Sequence, residues 1–184
     1  MKKHLLIGGA VALAAIVGIG GTVFWQTSDL ERIQAGIEAS HEGVAHIAAD
    51  DFAQLSRSDV ILFDVRETEE FEVSHLTGAI QVSPDIGAAE FEERFGKELK
   101  GKTAIFYCSV GVRSSILAER VAGLVEQSTG AAPMNLIGGA FQWSNEGRTM
   151  VTPKGGETRA IHPYDTYWGR LIDDSTAISD KPAT

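Results

Sequence analysis

One cysteine occurs in the chain, Cys108, and Arg113 follows it after four residues, Ser109, Val110, Gly111 and Val112. A thiol and a guanidinium at that spacing suit nucleophilic sulfur chemistry, because the cation can stabilise a thiolate and the anions formed from it. The stretch begins where the apolar run Thr103 to Tyr107 stops and ends where a helical pattern starts. Cys108 is therefore expected on a strand-to-helix turn, whose inward backbone N–H groups meet the positive end of the next helix. Gly111 lets the backbone turn where a Cβ would obstruct it. Ser114 is expected to cap the helix and to donate to the thiolate. A lone cysteine beside a buried strand can also be a small core hydrophobe. Placement, glycine and arginine together favour the nucleophile.

The elements that must hold this turn are legible in the apolar pattern. Val60 to Phe63 and Thr103 to Tyr107 are continuous apolar runs of strand length, as expected for strands buried on two faces. Shorter strands are expected near Val44 to Ile47, Ala79 to Val82 and Met134 to Ile137. Between them, Phe52 with Leu55, Phe91 with Phe95, and Leu117, Val121, Leu124 and Val125 mark three helical faces. Such alternation predicts an α/β fold with a mainly parallel sheet, helices on both sides and ligands at the carboxyl ends of strands. Asp64 and Arg66 close another strand and can reach the same end. Asp64 is expected to accept backbone hydrogen bonds and Arg66 to pair with Glu67 or Glu70, either in support of the loop or as an ion pair with no catalytic part. His75 lies in the turn leading to Gly78 and is expected to support that turn.

The loop Cys108-Ser109-Val110-Gly111-Val112-Arg113-Ser114 resembles the active loop of the rhodanese family. Asp64-Val65-Arg66-Glu67 with Glu70-Phe71, His75-Leu76-Thr77-Gly78-Ala79-Ile80, and Leu136-Ile137-Gly138-Gly139 with Phe141, Trp143 and Gly147 are similar to the family's other signatures, in the same order. The resemblance covers about Val44 to Val151. It implies a rhodanese-like three-layer fold and a sulfurtransferase: Cys108 takes sulfur from thiosulfate or another small sulfane donor as a persulfide and passes it to a thiol, cyanide-like or protein acceptor. In that reading Cys108 and Arg113 are catalytic, Ser109 to Val112 and Ser114 bind substrate, and Asp64, Arg66, Glu67 and His75 support them. No cofactor or metal is implied. Ser74 and Thr77 depart from the family, which often has Gly and Pro there. Ser109, Val110 and Val112 also add no charge to Arg113, whereas members that handle thiosulfate well often carry further cations. A phosphatase or arsenate reductase would use a similar loop with one residue more between Cys and Arg. A membrane-tethered binding module would have no need of the cysteine.

A length of 184 residues suits one ordinary domain with short extensions, and a net charge of −9 with scattered Lys and Arg argues against a nucleic-acid partner. The five histidines and one cysteine form no metal-ligand spacing. Residues 1–27 carry Lys2 and Lys3 ahead of an uncharged run, Leu5 to Trp25, whose 21 residues span about 31 Å as a helix. This predicts a single-pass inner-membrane anchor with the domain on the periplasmic side, or a cleaved signal leaving a soluble periplasmic protein. Residues 28–43 are expected to form a helical spacer, opened by the capping box Ser28-Asp29-Leu30-Glu31 and striped by Leu30, Ile33 and Ile37. The catalytic domain is expected over residues 44–152. Residues 153–184 are expected to form an arm packed over it through the aromatics of His162 to Gly169, with a disordered end.

Overall fold

The computed structural model describes residues 28–182. The uncharged run and its expected anchor lie outside them, and among the described residues no helix is long and apolar enough to cross a membrane.

Five short strands, β1 (Ala45–Ile47), β2 (Val60–Asp64), β3 (Ile80–Gln81), β4 (Thr103–Tyr107) and β5 (Met134–Leu136), form one parallel sheet in the order β1-β5-β4-β2-β3. The apolar runs make the two most buried strands, as continuous hydrophobicity requires of a sheet covered on both faces. Alternation along β2 and β4 sorts the side chains: Leu62, Ile105 and Tyr107 enter one core, while Ile61, Phe63, Ala104 and Phe106 enter the other.

The helices are α1 (Asp29–Ser40), α2 (Ala49–Gln54), α3 (Thr68–Val73), α4 (Ala88–Phe95), α5 (Val112–Arg120), α6 (Ala122–Thr129) and α7 (Gly139–Asn145). The first core takes Leu30 of α1, Phe52 of α2 and Phe141 of α7. The second takes Phe91 and Phe95 of α4, Leu117 of α5 and Val125 of α6. There Phe63 meets the rings of Phe91, Phe95 and Phe106 with centroids 5.1, 5.1 and 4.9 Å away, each such pair adding about 0.5–1.5 kcal/mol beyond burial.

The capping box at Ser28 forms, and α1 packs its buried Leu30 and Ile37 against the domain. The single helix expected through Leu117 and Val125 is instead two. Val121 leaves helical geometry at φ −105° and ψ 6°, although its N–H still reaches Leu117 O and its carbonyl still accepts from Val125. The kink keeps Leu117, Val121 and Val125 all buried against the sheet.

After α7 the chain forms a small antiparallel pair, β6 (Met150–Val151) with β7 (Glu157–Thr158), and then an arm whose Ile161, Ile172 and Ala177 complete the first core. Of the last ten residues, expected to be disordered, Ser175–Ala177 make a 3-10 turn and Ile178 bridges Ile161. Burial of Ala177 and the bonds Ile161 N–H to Ala177 O and Ser179 N–H to Ile161 O hold them there.

Candidate active site

Strand β4 delivers Cys108 to the carboxyl edge of the sheet, and Gly111, at φ 103°, turns the chain into α5. A Cβ on Gly111 would meet Asn135 Nδ2 at 3.0 Å and Ile37 Cδ1 at 3.1 Å, so both the conformation and the space call for glycine. Its N–H donates to Cys108 Sγ at 3.2 Å, which places one backbone dipole and the positive end of a nine-residue helix on the sulfur. Cys108 is 1% exposed yet lines a cavity of about 170 Å3, shared with Ser109, Val110, Val112, Arg113, Tyr164 and Trp168.

Helix α5 begins at Val112, ahead of the expected cap Ser114, and Ser114 does something other than cap it. The Ser114 hydroxyl lies 2.6 Å from Asn135 Oδ1 and 3.1 Å from Gly111 O, and Asn135 Nδ2 donates to the same carbonyl at 3.3 Å. Ser114 thus ties the turn to β5 and makes no hydrogen bond to the sulfur. The loop is gripped from its other side by α7. Ala140 N–H donates to Cys108 O at 2.8 Å and Phe141 N–H to Ser109 O at 2.9 Å, an approach that Gly139 permits because a Cβ there would stand 2.3 Å from Cys108 O.

Arg113 is held by a residue the sequence reading left out of the site. Glu70, projecting from α3, accepts Arg113 Nη1 at 2.7 Å, Arg113 Nη2 at 2.9 Å and the Ser109 hydroxyl at 2.6 Å; Glu67 N–H adds a fourth bond at 3.1 Å. Arg113 Nη2 also donates to Ser109 Oγ at 2.9 Å. Burial pushes the Glu70 carboxyl up, but the Arg113 hydrogen bonds and charge, with the Ser109 hydroxyl, outweigh it and hold the group below the ordinary carboxylate value. For Arg113, burial opposes the charge, while Glu70 and the nearby Cys108 raise its affinity for the proton above the ordinary value. The signal in the sequence was the signature that Glu70 shares with Asp64 and Phe71; which arginine it meets depends on the tertiary fold.

Arg66 differs from expectation in its partner. It pairs with neither Glu67 nor Glu70 but with Asp64, through Nη2 at 2.6 Å and Nε at 2.8 Å, and Nη2 also reaches Ser74 O at 2.6 Å. Both side chains are fully buried. Asp64 ends β2 and Arg66 follows two residues later, so this partner is reached locally without exposing either charge. Tyr107 O–H donates to Asp64 Oδ2 at 2.6 Å and accepts from Leu76 N–H at 3.0 Å, and burial pushes that phenol well above its ordinary value. Burial works against the Arg66 charge as well, and Asp64 overrides it. The Asp64–Tyr107 register is what places this buried pair immediately behind Cys108. Glu67 is exposed at the start of α3, and His75 stacks on Phe71 at 3.8 Å, with Nδ1 3.1 Å from Phe71 O and its backbone bridged to Val151. These two lie on the scaffold around the loop.

The rhodanese-like domain family matches residues 48–146. The chain is 28% identical over 103 residues to the thiosulfate sulfurtransferase GlpE of Coxiella burnetii, covering 56% of this chain and 87% of the relative. It is 25% identical over 118 residues to the tRNA uridine(34) hydroxylase of Cronobacter sakazakii, a match that takes in 63% of this chain but only 33% of that protein's length. Among solved structures, a thiosulfate sulfurtransferase from Pseudomonas aeruginosa superposes with a TM-score of 0.52 at 18% identity, over 78% of this chain and 26% of that one. That likeness concerns the fold.

Proposed function

The chain belongs to the rhodanese-like domain family, and from that membership we propose that it is a sulfurtransferase working through a persulfide on Cys108. The observation that carries the reading is the loop itself: Cys108 Sγ at the floor of a cavity, receiving the Gly111 N–H at 3.2 Å, at the N-terminus of α5. In the first half-reaction the Cys108 thiolate attacks the outer sulfur of a sulfane donor. The donor's sulfur–sulfur bond breaks, its electron pair leaves with the remainder of the donor, and Cys108 holds a persulfide anion. In the second, a nucleophilic acceptor attacks the outer sulfur and Cys108 departs as the thiolate, so charge and electrons balance without a cofactor. The Gly111 N–H and the positive end of α5 stabilise the anion in both states, while Arg113 keeps the loop closed through Glu70 and Ser109.

The test is intact-mass spectrometry after exposure to sulfane donors, followed by cyanide. The wild type should gain the mass of one sulfur and lose it to cyanide, and Cys108→Ser should gain none. Sulfur turnover that survives Cys108→Ser would remove the mechanism. We further propose that Leu5 to Trp25, behind Lys2 and Lys3, anchors the domain to the inner membrane facing the periplasm, a reading supported by the length and charge of that run.

A further inference from the structure

The arm after β7 puts two aromatic side chains into the walls of the Cys108 cavity. Tyr164 lies over Arg113, with the guanidinium carbon 4.6 Å from the ring centroid, and Trp168 lines the same space. Tyr164 is the one non-glycine residue with positive φ, 66°, among the described residues. For a bulky side chain that conformation is disfavoured, and it persists only where the surroundings impose it. They do so here. Tyr164 N–H donates to His162 Nδ1 at 3.0 Å, and Asp165 Oδ1 accepts from Tyr167 N–H at 2.8 Å and Trp168 N–H at 2.9 Å. Asp165 O accepts from Gly169 N–H at 2.9 Å, and Pro163 stands so close to Gly169 that a Cβ there would come within 2.8 Å of it. The arm is therefore a fixed wall.

The chemistry of that wall narrows the substrate. Among the described residues Arg113 is the only cation lining the cavity, and its charge is already met by the Glu70 carboxylate on one side and covered by the Tyr164 ring on another. Little positive charge is left for a dianion. Val110, Val112, Tyr164 and Trp168 supply an apolar lining to about 170 Å3, and an apolar cavity of roughly 150 Å3 holds a benzene ring.

We propose that Tyr164 and Trp168 are specificity-determining residues that make this site select a sulfur donor with a flat, apolar organic group and at most one negative charge over inorganic thiosulfate. The inference rests on the sulfurtransferase reading and names its substrate class. With an arene thiosulfonate the step balances simply: the Cys108 thiolate attacks the terminal sulfur, the sulfur–sulfur bond breaks, the arenesulfinate leaves with the electron pair, and one anion is exchanged for another on the enzyme.

The experiment compares benzenethiosulfonate and thiosulfate as donors to the full-length protein, with cyanide as acceptor. The ratio of their kcat/KM values should favour benzenethiosulfonate by about tenfold or more, within the range an apolar pocket can discriminate. Tyr164→Ala and Trp168→Ala should each lower that ratio several-fold, chiefly through KM, and Tyr164→Phe, which keeps the ring, should keep the preference. A wild type that prefers thiosulfate, or a ratio untouched by both alanine variants, would overturn the proposal. A second arm needs no turnover: calorimetric binding of benzenesulfinate to Cys108→Ser, with and without Tyr164→Ala. Binding that weakens several-fold in the double variant supports the aromatic wall, and equal affinity refutes it. Absence of a Cys108 persulfide with every donor would refute sulfur transfer instead, so the two failures are distinguishable.

Discussion

At the scale of single residues, Glu70 is the junction on which the loop depends. Its carboxylate receives two arginine N–H groups, a serine hydroxyl and a backbone N–H while 2% exposed, so it is a buried charge compensated on every side. Removing one partner of a buried pair costs about 3–5 kcal/mol, and because the Arg113 side chain remains 21% exposed, water can recover part of that here. Glu70→Gln, which keeps an acceptor but loses the charge, should destabilise by about 1–3 kcal/mol at neutral pH, read from urea unfolding. The folded-state pKa of Glu70 lies below its ordinary 4.5, so its contribution is fully present above that value and is lost as pH falls through the folded one. The stability gap between wild type and Glu70→Gln should accordingly narrow on acidification below 4.5. A gap that stayed constant down to the acid transition would mean that the carboxylate charge contributes nothing.

At the scale of elements, the grip of α7 on the loop makes a sharper demand than any side chain in it. Gly139 combines φ 57° with an approach in which a Cβ would meet backbone, Cys108 O at 2.3 Å, so no rotamer change relieves the clash. Gly155, at φ 83° with open space around it, shares only the backbone strain. Gly155→Ala should cost about 1–2 kcal/mol, while Gly139→Ala should cost several more and abolish persulfide formation, because α7 must move off Cys108 O and Ser109 O. Equal losses of melting temperature in the two variants would deny the clash. The sequence made parts of this arrangement legible: β4 begins and ends where its apolar run does, and Ser28 caps α1, because strand burial and caps are local signals. The partner of Arg66, the tie from Ser114 to Asn135 and the kink at Val121 were not legible. Each is settled by what lies across the sheet or beneath a helix, and neither periodicity nor propensity carries that information. Glu70 illustrates the boundary, since its place in the signature with Asp64 and Phe71 could be read and its meeting with Arg113 and Ser109 could not.

At the scale of the whole molecule, Ser74 gives one departure from the family pattern a physical role. Its hydroxyl donates to Ala160 O at 2.6 Å while its carbonyl accepts from Arg66 Nη2, so the buried ion pair behind Cys108 is connected to the root of the aromatic arm. Ser74→Ala leaves the Ala160 carbonyl without that donor, a loss of about 1–3 kcal/mol, and should raise the rate of proteolysis within residues 159–182 more than elsewhere. Uniform protection along the chain would show that the arm does not depend on this bond. The proposed anchor is tested separately: full-length protein should sediment with membranes and its domain should be digested by protease added to spheroplasts, whereas a soluble product starting after residue 25 would mark the run as a signal. The order of the sheet carries one more implication, which concerns the time at which the site comes into being. Among the described residues strand β1 pairs only with β5, the last strand of the sheet, and the turn at Gly111 is bounded by Ile37 from α1 and Asn135 from β5. A chain emerging from its N-terminus would therefore carry its cysteine exposed from the appearance of Cys108 until the stretch up to Asn145, the end of α7, has followed it. The thiol becomes enclosed, and the nucleophile selective, only after the segment through α7 has emerged and met the beginning of the domain.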